Sequence, residues 1–239
     1  MSERPDEYAP IADVYDAWSL EVQEDIGFYV GMCVGAATPI LELAAGTGRI
    51  AIPIAQAGFD VVAVDRSSAM LAVLDAKARA AAVTDRVDAR TGDLVAPGVE
   101  GRFDRVLIPF RSLLHLRDDG ERLVALRAAR DLLADDGYLA FDVFSPTSAD
   151  VRETQGSWFE RESGARERAD WHRDDGTTRV EVQMRGRATT LVLHPIPAPR
   201  WLELCAEAGL EVVTAWGGFD GEPVRADGAG DLVVVAQRA

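Results

Sequence analysis

The sequence is poor in cysteine, in histidine and above all in lysine. Cys33 and Cys205 are the only cysteines in 239 residues. Two are too few for a disulfide framework and lack metal-ligand spacing, so both are expected as buried thiols serving as small hydrophobes, with no structural disulfide. Lys77 is the one lysine, and arginine supplies the other permanent positive side chains. This excludes chemistry built on a lysine Schiff base, a Walker A lysine or a Tyr-x-x-x-Lys pair unless Lys77 itself serves. Its Ala-rich setting, LDAKARAAA, reads as a solvated helix face. No charge-free apolar run approaches the roughly 20 residues that a membrane span needs. The opening MSERPDEYAP carries both signs of charge and no apolar stretch of the kind that marks a secretory signal, so a cytoplasmic protein is expected. No G-x-S-x-G elbow and no His/Cys/Asp grouping with metal spacing is present, which points away from a hydrolase and from a metal-dependent enzyme.

What is present is a composition with 48% hydrophobic and 27% charged residues, enough to bury a full core in one domain without staples. Forty acidic against 25 basic residues give a formal charge of −15. Such a surface repels nucleic-acid phosphate and anionic lipid, and no basic stripe offsets it. Neither nucleic acid nor membrane is therefore expected as a partner.

Val22, Ile26, Val30 and Val34 recur at helical spacing, so an amphipathic helix is expected near 21–35, ahead of the main fold. From position 40 the pattern changes. Short apolar runs at 40–44, 60–64, 104–110 and 137–143, with a weaker one at 86–91, alternate with helix-like stretches at 48–57, 67–82 and 119–134, the signature of βαβ units and a parallel sheet. Ser67 with Ser68 and Asp118 with Asp119 supply N-caps, and Gly58 and Gly137 stand where helix-terminating glycines belong. Between 157 and 194 the alternation becomes that of antiparallel strands, with turns at Asp174-Asp175-Gly176 and Arg185-Gly186. A helix from Pro197 to Ala208, stopped by Gly209, and two closing strands, EVVTAW and DLVVVAQ, complete the chain.

The densest chemical signal is ILELAAGTGR at 40–49, a strand, then Gly46-Thr47-Gly48, then a helix. Glycines there let a nucleotide approach the backbone, and the helix start offers unpaired N–H groups. Glu42 ends the strand, where a carboxylate is costly to bury unless something cationic or hydrogen-bonding meets it. Asp65 stands at the end of the second strand, nineteen residues after Gly46, the position from which a carboxylate accepts bonds from ribose hydroxyls. Asp93 follows Gly92 at the end of the third. Three acids at the C-terminal ends of three parallel strands suit a ligand carrying ribose hydroxyls, an amino group and a positive charge.

These residues resemble the class I S-adenosylmethionine (SAM)-dependent methyltransferases. ELAAGTG is similar to the family's E/D-x-G-x-G-x-G loop, VDRSSAML to its ribose-binding strand end, TGDL to its adenine-proximal turn and FDRVLIPFRSLLHL to its fourth strand, covering about 40–145 in the right order. The resemblance implies an α/β, Rossmann-like, doubly wound, mainly parallel seven-stranded sheet. It also implies SAM as cofactor, S-adenosylhomocysteine as product and no metal. Glu42 would lie near the SAM amino group, Gly46 and Gly48 along the methionine portion, Asp65 on the ribose, Met70 beside the adenine and Asp93 near its amine, with Thr47, Arg66, Leu94 and Pro109 completing the wall. Ala44 departs from the family, which has its first glycine there; a methyl group is tolerable provided φ stays negative.

Tyr15-Asp16 resembles the pair that small-molecule methyltransferases fold over the cofactor, and the strands after 157 resemble the insertion of sugar N-methyltransferase-like members. The implied organisation is an N-terminal helical lid (1–38), a SAM-binding core (39–146), an antiparallel insertion over the acceptor site (147–196) and a C-terminal helix with a strand pair (197–239). Methyl transfer from a sulfonium is an in-line displacement that depends on alignment and desolvation more than on strong acid chemistry. A base is needed only where the nucleophile arrives protonated. The candidates are His115, in SLLHL past the fourth strand, and Tyr15, with Tyr8 as a further polar group near the rim; His172 and His194 read as sheet-surface residues. Phe110, Arg111, Asp220 and Glu222 are candidate acceptor contacts. Arg111 either binds an acidic acceptor or pairs with a surface carboxylate, and the 217–230 loop either gates the site or is an ordinary connection. Trp158, Trp171, Trp201 and Trp216 either wall an acceptor pocket or pack the core. The expected activity is methyl transfer to the O or N of a small molecule by a monomer or homodimer. The alternatives are a SAM-binding regulatory protein without catalysis and a nicotinamide-dependent oxidoreductase using the same glycine turn.

Overall fold

The computed structural model describes residues 5–21, 23–172 and 174–239. Seven strands form the main sheet: β1 (Ile40–Leu43), β2 (Val61–Asp65), β3 (Val87–Thr91), β4 (Phe103–Ile108), β5 (Leu133–Ser145), β10 (Leu210–Trp216) and β11 (Gly230–Arg238), in the spatial order β10-β11-β5-β4-β1-β2-β3. The strands from β5 to β3 pair in parallel, while β11 runs antiparallel to both of its neighbours. A second sheet holds β6 (Trp158–Glu160), β7 (Arg166–His172), β8 (Thr177–Met184) and β9 (Arg187–Leu193), all antiparallel. The helices are α1 (Tyr15–Trp18), α2 (Glu24–Met32), α3 (Ala51–Gln56), α4 (Ser68–Ala80), α5 (Asp119–Leu132), α6 (Ser148–Thr154) and α7 (Ala198–Glu207). None among the described residues is long and apolar enough to cross a membrane.

The two-residue period of the strands sorts the core. Leu41 and Leu43 face the side where Leu126 of α5 and Trp201 and Leu204 of α7 pack, while Ile40 shares the opposite side with Tyr29, Ile54 and Leu74 of α2, α3 and α4. Each fully buried aliphatic chain contributes about 1.5–3 kcal/mol, so both faces of the sheet are covered strongly enough to fix its register. Glu42 falls on the α2–α3 side by the same alternation.

Most boundaries follow local chemistry. The Ser67 hydroxyl accepts from the Met70 amide and the Asp118 carboxylate from Glu121, capping α4 and α5. Gly58 after α3 and Gly209 after α7 sit at φ +100° and +78°. Gly137 serves otherwise. It lies inside β5 rather than at a helix end, and a Cβ there would stand 2.8 Å from the Phe103 carbonyl oxygen and 3.1 Å from backbone atoms of Ala134. The N-terminal helix is shorter than the expected 21–35, and Val22 lies outside the described residues. The capping box of α6, Thr147 with Asp150, was not read from the sequence.

This geometry separates two glycines that look alike in composition. Gly137→Ala is expected to lower stability by about 1–3 kcal/mol because the three atoms nearest the new methyl are backbone and cannot swing aside. Gly27→Ala, mid-helix in α2 with nothing within 4 Å, is expected to raise it by up to about 1 kcal/mol. Thermal unfolding of the two variants beside the parent decides both, and equal midpoints would overturn the account.

Candidate active site

The strand order reverses at β1, which pairs with β2 on one side and β4 on the other, and a cleft opens at the C-terminal ends of these strands. Its walls come from the turns after β1, β2, β3 and β4 and from the N-terminal segment. Among the residues expected from the sequence, Tyr15, Glu42, Ala44, Gly46, Asp65, Arg66, Met70, Asp93, Leu94, Pro109, Phe110 and His115 all line it. Arg49, Ser67 and Ser112, together with Pro5 to Tyr8, also line it.

Glu42 is 1% exposed, and its Oε2 has no hydrogen-bond partner among the described residues. Burial pushes its carboxyl up to about 8, against the pull of the Arg49 guanidinium. Arg49 is itself committed elsewhere: it grips Asp25 of α2 through both terminal guanidinium nitrogens, and its Cζ lies 4.2 Å from the Phe110 ring centroid. What remains is a carboxyl group deep in a cleft, with one oxygen lacking a hydrogen-bond partner among the described residues. Two residues on, Ala44 stands at φ +59°, so the condition set for a methyl group there is not met. A left-handed alanine costs about 1–2 kcal/mol relative to glycine.

Asp65 is mostly buried, which raises its carboxyl, while the amides of Gly46 and Ser67 donate to it at 2.8 Å each and pull the other way. It thereby ties the glycine loop to the end of β2 while presenting its outer lone pairs to the cleft. Asp93 accepts from the Val95 amide and lies 3.7 Å from the Arg66 Nε. Met70 closes over the loop, its Cε 3.4 Å from where a Cβ on Gly46 would be. Gly48 faces away: a Cβ there would meet Leu74 and Ile52, so its role is loop-to-helix packing.

The N-terminal segment covers the opening. The Tyr8 hydroxyl and His115 Nε2 are 2.9 Å apart, and Glu7 approaches His115 Nδ1 at 3.6 Å. Tyr15 is buried, edge-on to Tyr8 and Phe110. Burial raises both phenols well above their usual range, which keeps them protonated and suits them to donation or proton relay rather than to acting as free bases. Asp16 turns away from the cleft. It accepts from the Thr47 hydroxyl and pairs with Lys77 at 2.7 Å. Lys77 is therefore no idle surface lysine: it fastens the covering segment to the glycine loop, and Thr47 is held in that contact instead of lining the cleft. The same segment is tied to the four-stranded sheet by Arg187 to Asp13, Arg161 to Glu21, Trp18 to Glu167 and Thr189 to the Glu7 carbonyl.

Several expected acceptor contacts lie elsewhere. Arg111 pairs with Asp231 at 2.8 Å and stacks on Phe144, the second of its two readings. Asp220 and Glu222 are exposed and outside the lining; their loop instead packs Phe219 on Phe28 and Tyr29. The four tryptophans are dispersed and none lines the cleft: Trp201 is in the core, Trp216 packs on Phe28, Trp158 lies under Arg166 and Arg168, and Trp171 donates to Thr154. His172 is exposed at the end of β7, and His194 docks its amide on the Leu114 carbonyl. Sequence reasoning missed Arg49, Asp25, Tyr29 and Asp142. An acid inside the apolar runs EDIGFYV and LAFDVF was the available signal, the same one that drew attention to Glu42.

The cleft fits SAM on its own geometry. An unpartnered buried carboxylate at the floor asks for an ammonium group, a second at the end of β2 offers acceptors to a ribose, and Met70 and Leu94 give apolar walls for a base. Two consequences concern the protein without ligand. Because the folded state raises the Glu42 carboxyl, stability falls as pH climbs from the ordinary carboxylate range toward 8. Glu42→Gln is thus expected to unfold several degrees above the parent at pH 8, the gap narrowing toward pH 5; parallel midpoints across that range would refute it. Ala44→Gly is expected to gain about 1 kcal/mol, or about 2–4 °C in melting temperature, and no gain would show that the strain is absent.

Known proteins similar to this chain are methyltransferases. The methyltransferase-domain family matches residues 40–137. A methyltransferase of Geobacillus sp. (strain WCH70) is 35% identical over 136 residues, 57% of this chain and 53% of its own, so the chain spans about half the length of that relative. The CcbJ methyltransferase of Streptomyces caelestis is 28% identical, with 98% of each chain covered and a TM-score of 0.84. KedS8, a sugar N-methyltransferase from Streptoalloteichus sp., shares the fold at 22% identity, covering 95% of this chain and 93% of its own with a TM-score of 0.68. Residues 40–137 thus match a methyltransferase domain, and over its whole length the chain is similar in fold to SAM-dependent methyltransferases.

Proposed function

We propose that this protein transfers the methyl group of SAM to the oxygen or nitrogen of a small-molecule acceptor. The observation that carries the reading is the buried Glu42 carboxylate, left without a hydrogen-bond partner on Oε2 at the floor of the cleft. SAM, when bound, supplies an electrophilic methyl on a sulfonium.

The chain's own part is to bind, orient and exclude water. Glu42 would take the ammonium group, and the turn from Ala44 to Gly46 the adjoining backbone approach. Asp65 would accept from the ribose hydroxyls, and Asp93 from the adenine amine between Met70 and Leu94. Tyr8, Tyr15 and Phe110 shut water out of the side facing the N-terminal segment. In a low-dielectric cleft the few remaining polar groups act more strongly on charge than they would in water. Where the acceptor arrives protonated, His115 is the group to receive the proton. With its ring hydrogen on Nδ1 toward Glu7, Nε2 accepts from the Tyr8 hydroxyl, so a proton delivered to Tyr8 passes on at 2.9 Å. A neutral amine needs no such relay. The cover formed by Pro5 to Tyr8 and Tyr15 favours a compact acceptor over a polymer, and a cytoplasmic setting is in keeping with two buried free thiols.

Calorimetric titration with S-adenosylhomocysteine tests the reading. We expect binding that Asp65→Ala weakens about tenfold or more, the loss of one or two hydrogen bonds to a charged group. An ammonium beside Glu42 lowers a carboxyl that stands near 8 in the free protein, so binding at pH 7 is expected to release close to one proton and to tighten from pH 6 to 8. Titration in buffers of different ionisation enthalpy reads that proton, and Glu42→Gln is expected to abolish it. Binding of NADH without binding of S-adenosylhomocysteine would sink the proposal.

A further inference from the structure

The turn after β4 is built against its backbone preference. Phe110 and Arg111 are consecutive, neither is glycine, and both lie in the left-handed region at φ 59° and 58°. Together they cost roughly 2–4 kcal/mol unless something holds them. Successive amides in such a turn converge into an anion-sized concavity. The Asp142 carboxylate of β5 fills it: the Phe110 amide donates to Oδ1 at 2.7 Å and the Arg111 amide to Oδ2 at 3.0 Å. The Tyr29 hydroxyl of α2 donates to the same Oδ1 at 2.6 Å, so one buried carboxylate joins the central sheet, a helix and the turn.

The consequence falls on the cleft. The turn sets where the Phe110 ring stands, with Arg49 over its face and Tyr15 at its edge. Arg49 is anchored to Asp25, on the same helix as Tyr29. We propose that Asp142, assisted by Tyr29, is a positioning residue that fixes Phe110 in the wall of the cofactor cleft, and that the site requires the carboxylate charge rather than the bulk of the side chain. An asparagine in its place accepts from one amide and turns an N–H toward the other, leaving the turn strained and half held.

The primary test does not depend on the cofactor reading: amide hydrogen exchange across 109–112 in the protein without ligand. Asp142→Asn is expected to exchange the Phe110 and Arg111 amides at least tenfold faster than the parent, about 1.4 kcal/mol of lost protection. Tyr29→Phe, a milder change that keeps both amides on the carboxylate, is expected to give a smaller increase and serves where the asparagine variant does not fold. The second readout, affinity for S-adenosylhomocysteine, rests on the proposed function. Asp142→Asn should weaken it about tenfold, and adding Arg111→Gly should restore most of the loss, because glycine holds φ above zero without help. A purely structural carboxylate would not be rescued that way. Unchanged exchange in a folded Asp142→Asn, or lost affinity that Arg111→Gly leaves lost, overturns the inference. A parent protein that does not bind the ligand overturns the cofactor reading alone, and exchange still decides the role of Asp142.

Discussion

The site depends on a carboxylate kept inside the protein without a full set of partners. Glu42 lies one residue from the end of β1, where Leu41 and Leu43 must face one layer of the core and residues 40 and 42 the other. Strand geometry therefore drives the side chain under α2 and α3, and the buried Arg49–Asp25 pair has already used the nearest cation. Burial raises the carboxyl to about 8 against the pull of Arg49, and among the described residues its Oε2 has no hydrogen-bond partner. A folded protein tolerates such a group only where the remaining core is strong, and here both faces of a seven-stranded sheet are covered. The strain at Ala44 belongs to the same bargain, since the turn that exposes the Glu42 floor also requires a left-handed residue.

The covering segment shows how the fold distributes its charges. Its ties to the four-stranded sheet include two arginine–carboxylate pairs, Arg187 with Asp13 and Arg161 with Glu21, at partly exposed positions and each worth about 0–1 kcal/mol. Against the core it is held by Asp16 with Lys77 and Thr47, by Tyr8 and Glu7 with His115, by the aromatic edge of Tyr15, and by Ile11 and Val14 buried in one cluster with Met70. The segment is thus fastened on two sides, to the four-stranded sheet and to the rim of the cleft it covers.

Much of this is legible in the sequence. Apolar runs broken by capping residues marked the strands and helices, and acids at the ends of those runs marked Glu42, Asp65 and Asp93, because a carboxylate beside buried aliphatics has a cost that a sequence displays. Other features depend on separations no local pattern reports. Lys77 meets Asp16 from another element, Asp25 reaches Arg49 across a strand, and Arg111 finds Asp231 at the far end of the chain. Gly137 looked like a helix stop because it follows α5, yet what demands a glycine is the approach of the Phe103 carbonyl from a neighbouring strand. The handedness of Ala44 was equally hidden: the sequence shows that a glycine is missing, not which way the turn winds.

Asp142 and Glu42 are a controlled pair for reading such groups. Both are acids in central strands, both are almost fully buried, and burial raises both. Asp142 receives two backbone amides and a tyrosine hydroxyl, and its carboxyl rises only to about 6. Glu42 keeps an oxygen without a partner and rises to about 8. Burial alone does not distinguish the group that builds the site from the group that waits for a ligand. The partner count does, because the hydrogen bonds an acid lacks inside the folded protein are the ones a ligand can still supply. By that measure Asp142 shapes the wall of the cleft, and Glu42 is its open valence.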